Sequence, residues 1–297
     1  ASEDARHVPA ARVALDEVDA IERALTVFRD SSELARVNRE ASAEPVAVSS
    51  ELMALLCRCR ALHAATGGAF DPTSTPLSRE WGFLQRQGRQ PLPEEMEAAR
   101  ARVGMDRIVL DPQERTVSFA APGVELNLGS VGKGWALDRV ACGLQAAGVG
   151  RSLVSAGGSS FVGWGPDPWP LALAPGRRKL ADLWLEAAAL ATSGAGEQHI
   201  EGTGRRLGHV IDPRTGWPAE GVRSASVVAG EATVADALAT ALLVGGPALA
   251  REVCAERPGT LALLVLEDEP EALLAIGASD RVQIETVPHV HLVRDGE

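Results

Sequence analysis

The sequence lacks the features that mark several large functional classes. It has no long run of lysine or arginine, and its formal net charge is −11 over 297 residues. An acidic chain without a basic stretch is a poor partner for nucleic acid or for an anionic membrane surface. No apolar run approaches the ~20 residues that a membrane-spanning helix needs. We therefore expect neither nucleic-acid binding nor a membrane span.

Cysteine is scarce, and the usual hydrolase and nucleotide motifs are missing. The four cysteines include no Cys-x-x-Cys pair and predict no disulfide framework. The absence of Gly-x-Ser-x-Gly argues against a serine hydrolase. The glycine-rich loop Gly129–Gly134 matches neither the P-loop nor the Gly-x-Gly-x-x-Gly pattern. What remains is the composition of an ordinary globular protein, with 45% apolar and 23% charged residues.

Hydrophobic periodicity and turn residues predict helices first, and then strands mixed with helices. The predicted helices are residues 10–28, 49–62, 93–102, 135–147, 234–244 and 247–255. The predicted strands are residues 107–111, 115–119, 124–128, 152–156, 169–174, 181–191, 209–211, 225–228 and 260–266, with a loop over 75–92. This order predicts an α+β fold with mixed or antiparallel sheets and packed helices. We expect a single compact domain over residues 1–297 with two interlocked lobes, helical to about residue 105 and mixed from about residue 106.

The loop Gly129–Gly134 joins a predicted strand to a predicted helix. Its three glycines allow a ligand to approach the backbone closely, and the amides at the helix start, together with the Lys133 ammonium, favour an anion. Glycine-rich turns are often purely structural. The loop alone therefore leaves both interpretations open.

Two further stretches carry chemically active side chains. His209 precedes the turn Asp212–Gly216, and a lone strand histidine of this kind is often structural. Asp236 and Thr240 lie four residues apart in an Ala- and Leu-rich segment, so on a helix they share one face. A carboxylate among small apolar residues needs a partner or a metal. We interpret the pair as a candidate site for a hard cation such as Mg²⁺, acting on an oxygen-rich, phosphorylated substrate.

Seven motifs, taken in order, resemble the FAD:protein FMN transferase family, the ApbE-type flavin transferases. The motifs are Ser32-Glu33-Leu34 with Asn38, Thr66-Gly67-Gly68-Ala69-Phe70-Asp71-Pro72-Thr73, Asn127–Asp138, Val154–Gly158, Thr192-Ser193-Gly194, His209–Gly216 and Ala235–Ala241. The resemblance extends from about Ala24 to Leu264. Each motif is weak by itself, and their common order makes the resemblance specific.

The resemblance implies transfer of FMN from FAD to a Ser or Thr hydroxyl of an acceptor protein, with release of AMP and with Mg²⁺ as the cofactor. It implies that Ser130, Asp236 and Thr240 bind the Mg²⁺. His209 is the implied acid/base catalyst, because histidine side chains have a reference pKa near neutral. The residues implied for the FAD site are Asn38, Ala69, Phe70, Asp71, Asn127 and Lys133. The family's usual location implies an extracytoplasmic protein, often a lipoprotein.

This sequence departs from the family pattern at three places. Asn127 stands where the family usually has Asp, and the family's Ala-Lys-Gly step is here Gly132-Lys133-Gly134. The family's opening strand would precede residue 10. Two other functions therefore stay open, namely an FAD pyrophosphatase that yields FMN and AMP, and a non-catalytic FAD-binding protein. Release of AMP distinguishes either enzyme from the binding protein, and a flavin adduct on the acceptor distinguishes the transferase from the pyrophosphatase.

Overall fold

The computed structural model describes residues 5–84, 88–175, 178–195, 199–202 and 205–296. The helices are α1 (Val8–Leu25), α2 (Glu33–Glu40), α3 (Ser50–Ala65), α4 (Thr75–Glu80), α5 (Pro93–Arg100), α6 (Gly132–Ala146) and α7 (Ala232–Glu256). The first ten strands are β1 (Val46–Ala47), β2 (Ile108–Asp111), β3 (Thr116–Phe119), β4 (Ser152–Ala156), β5 (Ser160–Trp164), β6 (Trp169–Leu173), β7 (Ala181–Leu185), β8 (Ala188–Gly194), β9 (His199–Gly202) and β10 (Arg205–Gly208). The other strands are β11 (Val222–Ala229), β12 (Leu261–Leu266), β13 (Ala272–Gly277), β14 (Val282–Thr286) and β15 (His291–Arg294). The predicted α+β class is confirmed.

The chain forms two compact units, and neither is continuous in sequence. Unit 1 consists of Ala1–Ala20, Val131–Gly196 and Glu220–Glu297, and unit 2 of Ile21–Ser130 and Glu197–Ala219. The prediction of a single domain over residues 1–297, with its helical and mixed lobes meeting near residue 105, stays a prediction.

Unit 1 is built on a seven-stranded sheet with the order β15-β13-β12-β11-β8-β5-β4. Neighbouring strands are antiparallel except β13 and β15, which are parallel. A second, three-stranded sheet has the order β14-β7-β6. Leucines of both sheets, among them Leu183, Leu190 and Leu263, form one buried apolar cluster. Helix α7 packs against β8 and β11, and α6 against β4 and β5. Strand β11 is therefore buried along nearly its whole length.

Helix α7 lies in the interior of unit 1. Among the described residues, it alone has the length and apolar composition of a membrane span, but 61% of its most apolar window is buried inside the protein, as in a core helix. Gly246 interrupts it with a φ of 62°, and Pro247 follows. The two helices predicted on either side of this point are therefore confirmed as the two arms of a kinked helix.

Unit 2 combines α2 to α5 with two small sheets. One sheet has the order β1-β3-β2, and the other pairs β9 with β10. Side chains of α4, α5, β10 and the residues that follow α4 and β10 form an apolar cluster in unit 2, which comprises Leu77, Trp81, Phe83, Met96, Ala99, Leu207 and Ile211. The strands predicted at residues 107–111 and 115–119 are confirmed as β2 and β3, which pair antiparallel from Ile108–Phe119 to Asp111–Thr116.

Local capping and a first-turn proline set where α2, α3 and α5 of unit 2 begin. The Ser32 hydroxyl accepts a hydrogen bond from the Ala35 amide at 3.0 Å. The Ser49 hydroxyl accepts one from the Leu52 amide at 3.1 Å. Each serine thus satisfies an amide that has no partner within the helix. Pro93 is the first residue of α5, where proline loses no hydrogen bond.

Several predicted elements are wrong. Residues 75–92 are not all loop, because α4 occupies Thr75–Glu80 with Pro76 in its first turn and Leu77 buried. Residues 181–191 were predicted as one strand but form two, β7 and β8. The turn between them is made by Ala187 with a φ of 43°, and an alanine gives no turn signal in an apolar sequence. Residues 124–128 form no strand in the structure. They do alternate, with Val124, Leu126 and Leu128 buried.

A side chain replaces the missing strand partner of residues 124–128. The Asn38 amide nitrogen donates to the Leu126 carbonyl at 2.9 Å, and the Asn38 amide oxygen accepts from the Leu126 amide at 2.8 Å. The Asn127 amide donates to the Pro72 carbonyl at 2.8 Å. The backbone groups of this segment are therefore satisfied without a ladder.

Candidate active site

Asp236 is the most enclosed charged group of the predicted site, with only 2% of its surface exposed. It lies in the second turn of α7, in unit 1. Its Oδ2 accepts a hydrogen bond from the Gly134 amide at 3.0 Å. Its Oδ1 lies 3.1 Å from the Lys133 ammonium and accepts a bond from the Ser160 hydroxyl at 3.4 Å. A buried carboxylate needs compensation of this kind. The structure thus brings together Asp236 and Lys133, two residues that the sequence singled out separately.

The first turn of α6 meets the first turn of α7 at backbone distance. A Cβ atom on Gly134 would lie 2.2 Å from the Ala232 carbonyl oxygen and 2.8 Å from the Thr233 Cα. Asp138, one turn further along α6, accepts hydrogen bonds from the Ala232 and Thr233 amides at 2.7 and 2.8 Å. Asp138 therefore caps the N-terminus of α7 from a neighbouring helix. These contacts hold the Asp236 carboxylate at the start of α6.

Replacing Gly134 by Ala is expected to lower the free energy of unfolding by about 2–3 kcal/mol, because the added methyl meets backbone that cannot rotate away. Gly132→Ala is the matched control, since a Cβ there meets nothing within 4 Å. An alanine at that position should be neutral or stabilise the protein by up to about 1 kcal/mol. Urea denaturation of both variants measures the two values. Equal stabilities would contradict the close approach of α6 and α7.

Thr240 lies one turn after Asp236 on α7. Its hydroxyl is 3.2 Å from the Ser193 hydroxyl on β8 and 3.5 Å from the Asp236 carbonyl. The hydroxyls of Thr240 and Ser193 therefore lie together, one helical turn along α7 from the residue that carries the Asp236 carboxylate. Within the described residues, no three His, Cys, Asp or Glu side chains form a metal-binding group. The oxygen set fits Mg²⁺, which binds one or two carboxylates and takes its other ligands from water and substrate phosphates.

Asn127 and Ser130 belong to unit 2. The Asn127 side-chain oxygen accepts a hydrogen bond from the Gly129 amide at 2.9 Å, which closes a local turn. Asn38, in contrast, uses both ends of its amide on Leu126. The predicted roles of Asn38 and Asn127 in binding FAD, and of Ser130 in binding Mg²⁺, stay predictions.

The two asparagines are expected to respond differently to replacement by aspartate. Asn38→Asp puts a carboxylate oxygen against the Leu126 carbonyl and should cost about 1–3 kcal/mol of unfolding free energy. Asn127→Asp retains the acceptor for the Gly129 amide and should change stability by less than about 0.5 kcal/mol. Chemical denaturation of the two variants in parallel tests this difference. A loss at position 127 as large as at position 38 would show that the amide of Asn38 has no special structural role.

Asp71 lies in a buried network in unit 2, after the buried residues Ala69 and Phe70. Its Oδ1 accepts hydrogen bonds from the Thr73 amide at 2.8 Å and the Thr73 hydroxyl at 2.6 Å. His63 Nδ1 lies 3.4 Å from Asp71 Oδ2 and 3.0 Å from the Phe70 carbonyl. Burial raises the pKa of Asp71, while the bonds from Thr73 and the proximity of His63 oppose that rise. The carboxylate thus fixes the loop that follows Gly67-Gly68.

His209 follows β10 and does not lie on a strand, which corrects the prediction for residues 209–211. The strand ends at Gly208, and Ile211 makes only an isolated bridge with Pro218. The His209 ring meets the Phe83 ring edge-on at a centroid distance of 6.5 Å. Its Nδ1 is buried and has no hydrogen-bond partner among the described residues. That nitrogen is not held by the surrounding protein.

The turn after His209 is rigid. Asp212 binds the Arg214 guanidinium through two contacts of 2.9 Å, and its amide donates to the Trp217 carbonyl at 2.8 Å. The buried Trp81 indole donates to the Gly216 carbonyl at 2.8 Å. His209 therefore lies between two fixed points of the chain. Strand β10 ends directly before it, and the Ile211–Pro218 bridge and the Asp212 turn follow it.

Sequence reasoning missed the roles of Asp138, His63 and Ser160. Asp138 occurs inside a recognised motif, but its partners on α7 lie 94 and 95 residues away along the chain. His63 precedes the recognised motif that begins at Thr66. Ser160 is a buried serine on a strand that was not predicted. Only Asp138 carried a local signal, as the single carboxylate of α6.

Comparison with known proteins gives one consistent answer. The model of the ApbE family matches residues 3–265. A FAD:protein FMN transferase of Haemophilus influenzae is 31% identical over 261 residues, which cover 82% of this chain and 75% of that protein. A protein with the same description from Escherichia coli K12 is 33% identical over 250 residues, covering 80% and 71%.

Solved structures agree with the sequence relatives. The ApbE protein of Thermotoga maritima superposes with a TM-score of 0.81 at 30% identity and covers 97% of this chain and 92% of that one. The flavin transferase ApbE of Vibrio cholerae gives a TM-score of 0.75 at 29% identity and covers 97% and 90%. The likeness thus includes fold and sequence over nearly the whole chain.

Proposed function

This chain belongs to the ApbE family, and we infer that it is a FAD:protein FMN transferase, which moves FMN from FAD to an acceptor protein and releases AMP. Family membership rests on the match over residues 3–265 and on relatives that are more than 30% identical over most of the chain. We further propose that the acceptor group is a Ser or Thr hydroxyl, that the reaction needs Mg²⁺, and that His209, Lys133, Asp236 and Thr240 have the roles given below.

The observation that carries this proposal is the pairing of Lys133 with Asp236 in unit 1, with Thr240 one turn after Asp236 on α7. The Lys133 ammonium lies at the N-terminus of α6, where the helix dipole and first-turn amides favour an anion. The diphosphate of FAD is such an anion. A buried carboxylate beside this helix end supplies the negative charge that a cation requires.

Asp236 and Thr240 are the proposed Mg²⁺ ligands within unit 1, and the family pattern adds Ser130. When bound, Mg²⁺ neutralises charge on the phosphate oxygens and thereby favours attack on phosphorus. Asp236 offers the carboxylate, and Thr240 offers a hydroxyl already oriented by Ser193. Lys133 binds a phosphate oxygen through its ammonium. These residues position the diphosphate and do not take part in proton transfer.

His209 is the proposed base for the acceptor hydroxyl. The imidazole takes the hydroxyl proton while the hydroxyl oxygen attacks the phosphorus of the FMN half of FAD. A new phosphorus–oxygen bond to the acceptor forms. The bond between the FMN phosphorus and the oxygen that bridges the two phosphorus atoms breaks, and AMP leaves with that electron pair. The Nδ1 of His209 supports this role, because this ring nitrogen forms no hydrogen bond to the described residues.

Mass spectrometry tests the function directly. The protein is incubated with FAD, Mg²⁺ and an acceptor protein that carries a Ser or Thr flavinylation site. We expect a flavin phosphate adduct on the acceptor and one AMP for each adduct. Free FMN and AMP without an adduct would instead identify a pyrophosphatase, and FAD binding without AMP release would identify a binding protein.

A further inference from the structure

The buried Asp236 carboxylate already has a cation, and that cation is a lysine. The Lys133 ammonium lies 3.1 Å from Oδ1, the oxygen that also accepts the Ser160 hydroxyl. The Gly134 amide occupies Oδ2. Both oxygens are therefore engaged in a side chain that is only 4% exposed. A metal ion at this carboxylate competes with Lys133 for the same negative charge.

The choice of lysine at this position is unusual for this chain. The sequence contains only two lysines, Lys133 and Lys179, among 29 basic residues, and all the others are arginines. Elsewhere in unit 1, the Arg251 guanidinium donates hydrogen bonds of 2.8 to 3.0 Å to both carboxylate oxygens of Asp295. An arginine forms a two-pronged bond that resists exchange, whereas a lysine is a point charge on a flexible stem.

Lys133 is also able to leave the carboxylate. Its side chain is 40% exposed although its partner is buried, so the lysine stem reaches the surface and is not enclosed with the carboxylate. It lies in the first turn of α6, where the free amides favour a phosphate. An anion bound there would attract the ammonium away from Asp236.

We propose that Lys133 is a positioning residue that keeps the divalent cation out of the Asp236 site until the diphosphate of FAD takes over its ammonium. This inference rests on the proposed function, because it needs FAD as the anion and Asp236 as a metal ligand. The Lys133 ammonium moves from the Asp236 carboxylate to the FAD diphosphate, and the divalent cation then binds the carboxylate that the lysine has left. Binding of cation and nucleotide is thereby coupled. By linkage, each ligand raises the affinity of the other by the same factor.

The proposal predicts opposite effects for two substitutions. Lys133→Met removes the competing charge at similar length, so the cation should bind without nucleotide about 10- to 100-fold more tightly than in the wild type. Lys133→Arg keeps the charge and adds a second prong on the carboxylate, so the cation should bind more weakly than in the wild type. A general field effect of the charge alone would leave Lys133→Arg equal to the wild type.

The test uses Mn²⁺ alone as the probe, titrated into the full chain and followed by electron paramagnetic resonance of free Mn²⁺. Lys179→Met, at the only other lysine, is the matched control and should bind Mn²⁺ like the wild type. Lys133→Gln serves as a second neutral variant, and thermal unfolding checks that each variant is folded. In the Lys133→Met background, Asp236→Asn should remove the tight binding, which locates the ion.

Repeating the titration with FAD and no acceptor protein measures the coupling, with chromatography to check that FAD stays intact. FAD should tighten Mn²⁺ binding strongly in the wild type and much less in Lys133→Met. If folded Lys133→Met and Lys133→Gln bind Mn²⁺ no more tightly than the wild type, the exchange is overturned. That outcome differs from failure of the proposed function, in which the wild-type protein forms no flavin adduct whatever its affinity for Mn²⁺.

Discussion

Replacing Asp236 by Asn is expected to reduce FMN transfer by about 10²–10³-fold, the usual cost of removing one charge-stabilising group from an active site. The amide keeps the volume of the buried carboxylate, so packing of α7 changes little. It carries no charge for a cation or for Lys133, which lies 3.1 Å from Oδ1 in the wild-type protein. The residual activity should also lose its dependence on Mg²⁺ concentration. Quantifying adduct and AMP across a Mg²⁺ titration measures both effects.

Asp182→Asn is the matched control for Asp236→Asn. Asp182 is half-exposed and pairs with Lys179 at 2.7 Å on β7, in the same unit, and it has no role in the proposed site. Its replacement should leave transfer unchanged. Because Asp236 has buried partners, thermal unfolding must show that the Asp236→Asn protein is folded under assay conditions. A folded Asp236→Asn variant with the wild-type response to Mg²⁺ would remove Asp236 from the metal site.

The parts of the fold that could be predicted are those whose cause is local. Ser32 and Ser49 cap α2 and α3 through bonds to residues three positions ahead, and Gly246-Pro247 interrupts α7 where the sequence indicates. The strand predicted at 124–128 is wrong because its partner is not a strand. Its backbone forms hydrogen bonds with the Asn38 side chain and the Pro72 carbonyl. No local sequence pattern indicates that a side chain will take the place of a neighbouring strand.

The candidate site divides in the same way. The glycine-rich loop, the Asp236–Thr240 pair and the histidine could be found from residue types and spacing. The contact between Lys133 and Asp236 could not, because it depends on two helices that approach at Gly134 with no side chain between them. Nor could the cap of α7 by Asp138, which joins residues of different helices. Such contacts depend on how whole helices pack against each other. The hydrophobic periodicity of one helix does not predict them.

Replacing His209 by Ala is expected to lower the turnover rate of FMN transfer by about 10²–10⁴-fold, the range for loss of a general base. FAD binding should be spared, because the proposed role concerns only the proton of the acceptor hydroxyl. Loss of turnover with an unchanged affinity for FAD identifies an interaction made in the transition state. Flavin fluorescence titration measures the binding, and adduct formation measures the turnover. Added imidazole should restore part of the rate, since it can supply the missing base in the space that the side chain leaves.

His289→Ala is the control histidine for this experiment, since His289 is exposed and its Nε2 accepts a hydrogen bond from the Arg178 guanidinium at 3.3 Å. Its replacement should not affect turnover. The edge contact between His209 and Phe83 also disappears in His209→Ala, and His209→Gln retains more of that volume. Both variants should therefore lose turnover alike if proton transfer is the role of His209. Recovery of the rate in His209→Gln, or an equal loss of FAD affinity in both variants, would instead make His209 a packing or binding residue.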